Sequence, residues 1–244
     1  TRISEETSLK PKPMVEIGGK PILWHILKIY SHYKINEFII CCGYKGYVIK
    51  EYFANYFLHN CDVTFDMEDN GMKIHSKNTE PWKITLIDTG ENTMTGGRLL
   101  RLKEFIEKEE NFFMTYGDGL CSINLNDLLN FHLKHQKIAT VTAVHPPVRF
   151  GELEIENDDV IDFEEKPQAK AGWINGGFFV LNYKIFSYIE GDKTMFEKDP
   201  MKKLLKDKNL KAFKHDGFWK CMDNLRDKMI LEDLFLKKEE VWKT

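Results

Sequence analysis

The sequence predicts an α/β fold of the Rossmann-like type, with a mixed, mostly parallel sheet flanked by helices. The first observation is an alternation of strand and helix patterns near the start of the chain. Residues 22–30 form an apolar helix pattern, residues 37–43 a short apolar run ending in glycine, and residues 45–58 a second helix pattern. Short continuous apolar runs are typical of buried parallel strands, and their alternation with helices is typical of doubly wound sheets.

The second observation is that strand-length apolar runs stop at glycine or aspartate. Residues 112–116 predict a central strand that ends at Gly117-Asp118-Gly119, and Asn70-Gly71 predicts the turn of a hairpin. The remaining predicted strands lie at 82–87, 139–144, on both sides of 157–159, and at 178–181. The remaining predicted helices lie at 98–107, 125–135, 201–208 and 224–237. With no internal repeat or linker, we expect one domain over 1–244.

Composition restricts the possible partners. The chain has 244 residues, 42% hydrophobic residues and a formal net charge of -3, whereas a general nucleic-acid binder needs a basic excess. Its five cysteines form no C-x-x-C pair, which favours free thiols in a reducing compartment. No apolar run approaches the roughly 18–20 residues of a membrane span, and we expect no signal peptide before Thr1. We expect a cytoplasmic protein that binds neither nucleic acid nor membrane.

Tyr116-Gly117-Asp118-Gly119 is the first candidate site. An aspartate at the carboxyl end of a strand points into the crevice where open α/β sheets bind ligands, and the glycines allow a phosphate or metal close to the backbone. An ordinary Asp-Gly turn is an equally good interpretation of this segment alone. Asp223 is the candidate for a second carboxylate, although an aspartate before a helix is often its N-cap. Magnesium takes one or two carboxylates plus substrate phosphates, so Asp118 and Asp223 are the expected metal ligands.

Three further segments suit anion binding. Arg2 and Lys12 lie in a proline-rich loop, where arginine clamps phosphate and a stiffly held lysine supplies a point charge; a solvated basic loop is the alternative. Thr95-Gly96-Gly97-Arg98 opens a helix whose first N–H groups could face an anion. Glu165-Lys166-Pro167 and Asn175-Gly176-Gly177 are weaker signals, since both segments could be ordinary turns.

Together these segments resemble the sugar nucleotidyltransferases over essentially the whole chain. The segments that bear the resemblance are Thr1-Arg2, Pro11-Lys12-Pro13-Met14, Met94-Thr95-Gly96-Gly97-Arg98, Tyr116-Gly117-Asp118-Gly119, Glu164-Glu165-Lys166-Pro167, Asn175-Gly176-Gly177-Phe178-Phe179 and Phe218-Trp219-Lys220-Cys221-Met222-Asp223. The segments at 94–98 and 218–227 look like the branch that uses CTP and glucose 1-phosphate. In that family a strand and a glycine-rich loop precede the Thr-Arg pair, so we expect both upstream of Thr1.

The resemblance implies roles for individual residues. Lys12, Arg2 and Asp118 would be catalytic, with Lys12 on the triphosphate, and Asp118 and Asp223 would hold Mg²⁺. The expected substrate-binding and nucleotide-binding residues are Thr1, Arg2, Lys12, Thr93, Thr95, Gly96, Arg98, Tyr116, Gly117, Glu165, Lys166 and Asn175. Of these, Glu165, Lys166 and Asn175 would face the sugar phosphate.

The implied activity is formation of CDP-glucose and pyrophosphate from CTP and α-D-glucose 1-phosphate, for surface-polysaccharide (lipopolysaccharide O-antigen) sugars, by a homo-oligomer. The alternatives are a uridylyl- or thymidylyltransferase on the same sugar phosphate and a non-catalytic relative that binds a sugar nucleotide. A glycosyltransferase ranks low, because Asp118 is followed by Gly119-Leu120 rather than by a second aspartate.

Overall fold

The computed structural model describes residues 9–76, 79–146, 152–156, 159–164 and 172–242. Its strands are β1 (Glu16–Ile17), β2 (Lys20–Pro21), β3 (Glu37–Cys42), β4 (Val63–Asp66), β5 (Gly71–Ile74), β6 (Lys83–Asp88), β7 (Asn111–Thr115), β8 (Gly119–Cys121), β9 (Ala139–Val144), β10 (Glu152–Glu156), β11 (Asp159–Glu164), β12 (Ile174–Asn182), β13 (Leu210–His215) and β14 (Trp219–Cys221). Each of the predicted strands has its counterpart here.

The helices are α1 (Ile22–His32), α2 (Gly46–Ala54), α3 (Tyr56–Asn60), α4 (Thr95–Leu100), α5 (Leu125–His135), α6 (Asp199–Lys206) and α7 (Leu225–Leu236), with 3-10 turns at Lys12–Met14, Lys103–Ile106 and Tyr183–Tyr188. The helix predicted at 98–107 is shorter, because α4 ends at Leu100 and a 3-10 turn follows. Among the residues that the structure describes, no helix is both long enough and apolar enough to cross a membrane.

Two sheets form the centre of the fold. The larger has the strand order β13-β9-β12-β7, and the smaller pairs β3 with β6. Pairing is parallel between β13 and β9 and between β3 and β6, but β12 runs antiparallel to both of its neighbours. Two-stranded ladders join β4 to β5, β8 to β14 and β10 to β11. The hairpin predicted at Asn70-Gly71 is confirmed, with Asn70 at φ 52°.

The mixed α/β fold is confirmed, but its sheets are less parallel than predicted. A parallel connection needs a crossover, usually a helix, and the chain between β9 and β12 contains the β10–β11 hairpin instead. The predicted central strand β7 also differs, because within the described residues it pairs on one side only, with β12. Strand β7 is nevertheless central to the packing. Phe113 packs against the core cluster that contains Tyr30, and Phe112 and Met114 pack against the core cluster that contains Phe179.

Helix α1 joins the two sheets through aromatic contacts. The buried ring of Tyr30 lies 6.3 Å from Phe38 of β3, 5.7 Å from Phe113 of β7 and 6.3 Å from Phe178 of β12. On the other side of the sheets, Ile39 packs against the cluster that surrounds the buried Phe179. Because neighbouring residues of β3 face opposite clusters, both sheets bury apolar side chains on both faces, as expected of an α/β core.

A buried polar network lies under the large sheet, between α5 and strands β7 and β9. His132 is 2% exposed, and its ring nitrogens lie 2.8 Å from Thr140 Oγ1 and 3.1 Å from Asn111 Oδ1. His135 Nε2 lies 2.7 Å from the same Thr140 hydroxyl. Burial, and then repulsion from His135, lower the pKa of His132 to about 4. The neutral imidazole is therefore the form that fits the folded state.

We expect acid to destabilise the fold through His132. The unfolded chain binds a proton at this residue near pH 6.5 and the folded chain only near pH 4, so the stabilisation is complete above pH 6.5 and is lost as the pH falls towards 4. Urea unfolding should give a free energy of unfolding about 2 kcal/mol lower at pH 4.5 than at pH 7 from this residue.

The matched variants are His132→Gln and, as control, His59→Gln at an exposed position on α3. The first should show a smaller loss of stability between pH 7 and pH 4.5 than the natural chain, whatever its stability at pH 7. The second should keep the full loss. An undiminished pH dependence in His132→Gln would contradict this account.

Candidate active site

Lys12 lies between two carboxylates. Pro11 precedes the 3-10 turn Lys12–Met14 and Pro13 occupies its second position, which fixes the backbone that presents the lysine. The Lys12 ammonium donates to Asp118 Oδ2 at 2.5 Å and to Asp223 Oδ1 at 2.7 Å. Burial opposes the charge on Lys12, but these hydrogen bonds outweigh it and raise the pKa of the lysine above its usual value. Lys12 is thus a fixed cation.

A short antiparallel ladder brings Asp118 and Asp223 together. Strand β8 begins directly after Asp118 and pairs with β14, with Gly119 opposite Cys221. The ladder continues through the Met222 N–H, which donates to the Asp118 carbonyl oxygen at 2.8 Å. Antiparallel pairing therefore places one aspartate just before β8 and the other just after β14 at the same end of the ladder. This is the convergence on which the predicted metal role depends.

Asp223 is not the cap of the last helix. The N-cap of α7 is Asn224, whose side-chain oxygen accepts from the Asp227 N–H at 3.0 Å. Asp227 in turn accepts from the Asp223 N–H at 3.1 Å and pairs with Lys220 at 2.5 Å. Because Asn224 and Asp227 satisfy the start of the helix, the capping interpretation of Asp223 is wrong, and its carboxylate faces Lys12.

The donor set at this point fits a hard divalent cation. Asp118, Cys221 and Asp223 each offer one atom, and these atoms lie within 4.8 Å of one another. Burial, and then the charge of Asp118, raise the pKa of the Cys221 thiol, so the sulfur keeps its proton. Two carboxylate oxygens are ligands that magnesium and manganese prefer, and in the ion-free cluster the thiol beside them is neutral.

A cavity of about 250 Å³ opens beside the carboxylates. Its walls include Tyr116 and Asn175, whose side-chain amide donates to the Tyr116 hydroxyl at 3.4 Å. Trp219 closes another side, with its indole N–H donating to the Gly176 carbonyl oxygen at 2.7 Å. Gly177, at φ +78°, leaves room for the Tyr116 ring, since a Cβ there would lie 2.8 Å from it. The cavity is large enough for a small polar ligand.

Gly117 allows the lysine turn to approach Asp118. A Cβ at this position would lie 2.8 Å from the Pro13 ring, so any other residue would push the turn away. The prediction that Gly117 belongs to the site is thus supported by packing, while its contact with a nucleotide stays a prediction.

In this structure the N–H groups at the start of α4 donate to the protein backbone rather than to an open site, and the contact of Gly96 with a nucleotide stays a prediction. The N–H groups of Gly96 and Gly97 donate to the Thr194 carbonyl oxygen at 2.9 and 3.2 Å. The glycines serve close packing instead, because a Cβ at Gly96 would lie 2.8 Å from Thr194 O and one at Gly97 would lie 2.5 Å from the Asp192 backbone. We call residues 192–197, which cover the start of α4, the clasp segment.

Thr95 is also engaged by the clasp segment. Its hydroxyl donates to Glu197 Oε2 at 2.7 Å and accepts from the Phe196 N–H at 2.9 Å. Glu197 Oε1 accepts from the Tyr116 hydroxyl at 2.6 Å, so Thr95 reaches the cavity wall through Glu197. The sequence offered no local signal for Glu197, which lies far along the chain from both of its partners.

Arg98 and Thr93 lie near the carboxyl ends of β3 and β6 rather than along the cavity. The Arg98 guanidinium donates to Thr89 Oγ1 at 2.7 Å and to the Glu91 carbonyl oxygen at 3.0 Å, and it fills the space beside Gly43. Thr93 is 7% exposed. Their contact with a nucleotide stays a prediction. The other predicted site residues, Thr1, Arg2, Glu165 and Lys166, lie outside the described residues.

Residues that the sequence analysis missed at the cavity and the site include Cys221, Trp219 and Glu197. Cys221 precedes Asp223 by two positions, and period-two spacing places both on the same side of an extended chain, so this signal was present. Trp219 has the same spacing from Cys221. Only Glu197 requires knowledge of the tertiary fold.

Comparison with known proteins assigns the family. The sequence profile described as "Nucleotidyl transferase" (NTP_transferase) matches residues 1–227. The chain belongs to the nucleotidyl transferase family. A Salmonella typhi relative named glucose-1-phosphate cytidylyltransferase is 56% identical over 244 residues, covering 100% of this chain and 95% of that protein. A Bacillus subtilis relative named probable glucose-1-phosphate cytidylyltransferase is 44% identical, with the same coverage.

Solved structures share the nucleotidyl transferase fold at lower identity. HddC from Yersinia pseudotuberculosis is 24% identical with a TM-score of 0.65, over 92% of this chain and 90% of that one. An apo UDP-glucose pyrophosphorylase is 18% identical with a TM-score of 0.65, over 96% and 93% of the two chains. These similarities support the α/β architecture, and the sequence relatives support the family.

We expect the close packing of α4 against the clasp segment to depend on Gly97. Gly97→Ala would drive a Cβ into the Asp192 backbone, which cannot yield as a side chain could, so the free energy of unfolding should fall by about 1–3 kcal/mol. Gly191→Ala is the matched control, since a Cβ there meets nothing within 4 Å. Equal stability of the two variants in urea unfolding would contradict the packing argument.

Proposed function

We propose that this protein forms CDP-glucose and pyrophosphate from CTP and α-D-glucose 1-phosphate. The observation that supports it most is the Lys12 ammonium held at 2.5 and 2.7 Å by Asp118 and Asp223, beside a cavity lined by Tyr116 and Asn175. This arrangement offers both a cation for phosphates and a carboxylate pair for a divalent metal. The choice of CTP and glucose 1-phosphate rests on the relatives that are 56% and 44% identical over the whole chain.

The reaction requires two anions to meet. An oxygen of the sugar phosphate attacks the α-phosphorus of CTP in line, a new P–O bond forms, and the bond to the β-phosphate breaks to release pyrophosphate. Because the attacking oxygen is already anionic at pH 7, no general base is needed. The protein must orient the substrates and neutralise charge at the α-phosphorus, and Lys12 is the described residue placed to do so.

Asp118 and Asp223 would hold the magnesium ion that we propose as cofactor. The ion supplies charge neutralisation to the triphosphate when bound. The same two carboxylates now hold Lys12, so Lys12 must share or leave them when a divalent cation is bound. We infer that Lys12 then turns towards the phosphates, and the proline on each side of it keeps that movement within the side chain.

Lys12→Ala should reduce the rate of CDP-glucose formation by roughly 10²–10³, which corresponds to about 3–4 kcal/mol of barrier. The rate is measured at saturating CTP, glucose 1-phosphate and Mg²⁺. Lys83→Ala is the control, because Lys83 pairs with Glu37 at the other end of β6 and is 73% exposed. Near-normal turnover by Lys12→Ala would refute the role of this residue.

Lys12 should also weaken divalent binding in the absence of substrates. Lys12→Met removes a positive charge that contacts both carboxylates, so we expect Mn²⁺ to bind about tenfold more tightly, as followed by electron paramagnetic resonance. Asp118→Asn and Asp223→Asn should each weaken Mn²⁺ binding by at least as much. Asp233→Asn, on the exposed side of α7, is the control for a general change of charge. Unchanged Mn²⁺ affinity in Lys12→Met would contradict a shared site.

The alternatives differ in the nucleotide and in whether there is turnover. Pyrophosphate release measured with CTP, UTP and dTTP in parallel tests the base, and absence of release with all three would favour a non-catalytic relative. We further propose a cytoplasmic homo-oligomer that supplies surface-polysaccharide synthesis. The size of the assembly is measured by sedimentation.

A further inference from the structure

Glu197 bridges two segments that the sequence assigned to different parts of the site. One carboxylate oxygen accepts from the Tyr116 hydroxyl at 2.6 Å, and the other accepts from the Thr95 hydroxyl at 2.7 Å. Tyr116 lies at the end of β7, next to Gly117 and Asp118, whereas Thr95 opens α4. The names of the relatives assign no role to Glu197.

The position of Glu197 is fixed by its neighbour. Phe196 is 1% exposed, packs 5.7 Å from the ring of Phe179, and donates its N–H to the Thr95 hydroxyl at 2.9 Å. The backbone before it is held by the hydrogen bonds from Gly96 and Gly97 to Thr194. Glu197 therefore projects from a packed segment rather than from a loose loop.

The two hydrogen bonds determine where the hydroxyl protons point. An ionised carboxylate can only accept, and a tyrosine or threonine hydroxyl has one proton to donate. The Tyr116 proton is therefore committed to Glu197, and the Tyr116 oxygen can only accept from other groups. One such group is the Asn175 amide at 3.4 Å, and the same oxygen belongs to a residue that lines the cavity. A ligand in the cavity thus meets Tyr116 as a hydrogen-bond acceptor.

We propose that Glu197 is a positioning residue that holds Tyr116 as an acceptor for a hydroxyl group of the hexose. A hexose hydroxyl can donate, so it complements an acceptor-only tyrosine. Asn175, expected to face the sugar phosphate, lies on the same wall and strengthens the assignment of this cavity to the sugar. The inference rests on the proposed function, since it takes glucose 1-phosphate as the ligand of this cavity.

The test is a double-mutant cycle of Glu197→Ala and Tyr116→Phe in the full chain. Each single variant should raise the KM for glucose 1-phosphate about tenfold, the effect of one lost hydrogen bond, with kcat within about threefold and the KM for CTP unchanged. The double variant should be no worse than the poorer single variant, because both changes remove the same interaction. Glu190→Gln, an exposed carboxylate paired with Lys203, is the control.

The outcomes distinguish a role of Glu197 in orienting the Tyr116 hydroxyl from a role in stability alone. Three results would each overturn the proposal. They are a KM of the double variant that rises by the product of the two single effects, a natural KM in Glu197→Ala, and equal rises in the KM for glucose 1-phosphate and for CTP. Should Glu197→Ala fail to fold, Glu197→Leu, which also cannot accept a hydrogen bond, takes its place in the cycle. Monodeoxy analogues of glucose 1-phosphate give an independent readout. One analogue, which lacks the hydroxyl that donates to Tyr116, should bind the natural chain less well than glucose 1-phosphate does. The Tyr116→Phe variant should bind that analogue and glucose 1-phosphate equally well.

Failure of the proposed function gives a different pattern. If the natural chain forms no CDP-glucose, that function fails, and the cycle is then measured by calorimetry with glucose 1-phosphate, which requires no turnover. If the chain forms CDP-glucose and Glu197→Ala keeps the natural KM, only the role of Glu197 fails. A chain that neither turns over nor binds glucose 1-phosphate would overturn both.

Discussion

The contact of Lys12 with Asp118 and Asp223 is the interaction around which the site is built. Its members lie 106 and 211 positions apart in the sequence, so no local structure can bring them together. The β8–β14 ladder aligns the two aspartates, Gly117 lets the lysine turn approach, and Asn224 takes over the helix cap. Together these features bring the three charges into contact. A site assembled in this way forms only when the whole chain has folded.

The clasp segment is a second long-range constraint, and it acts on the cavity wall. Because Gly96 and Gly97 have no Cβ, the backbone at Asp192 and Thr194 can pack closely against α4. Arg101 reinforces the contact with two hydrogen bonds to Asp192, at 3.0 and 2.6 Å. The docked segment then carries Glu197 to Tyr116. The packing of this backbone against α4 thereby fixes the orientation of the Tyr116 hydroxyl group.

The sequence was sufficient for features that depend on local patterns. The strands β3, β7 and β9 and the helices α1 and α5 follow from apolar periodicity, and the Asn70 turn follows from its glycine neighbour. Pairing was less predictable, because the antiparallel course of β12 depends on what connects it to β9. Asp118 was found because its glycines mark a strand end. The backbone contact of the Gly96 N–H group was not predictable, because a glycine that admits an anion and one that admits another backbone look alike in sequence.

The arrangement of charges explains why one carboxylate pair can serve both a lysine and a metal. The ammonium attracts both carboxylates and holds the cluster together, but the three groups leave a single net negative charge, which repels a triphosphate. A divalent cation added to the same three groups reverses the sign and leaves one net positive charge, which attracts phosphates. At separations near 3 Å and partial burial, this reversal is worth several kcal/mol even at an effective dielectric constant of about 20. Lys12 therefore acts as a counterion that holds the two carboxylates close together before substrates arrive.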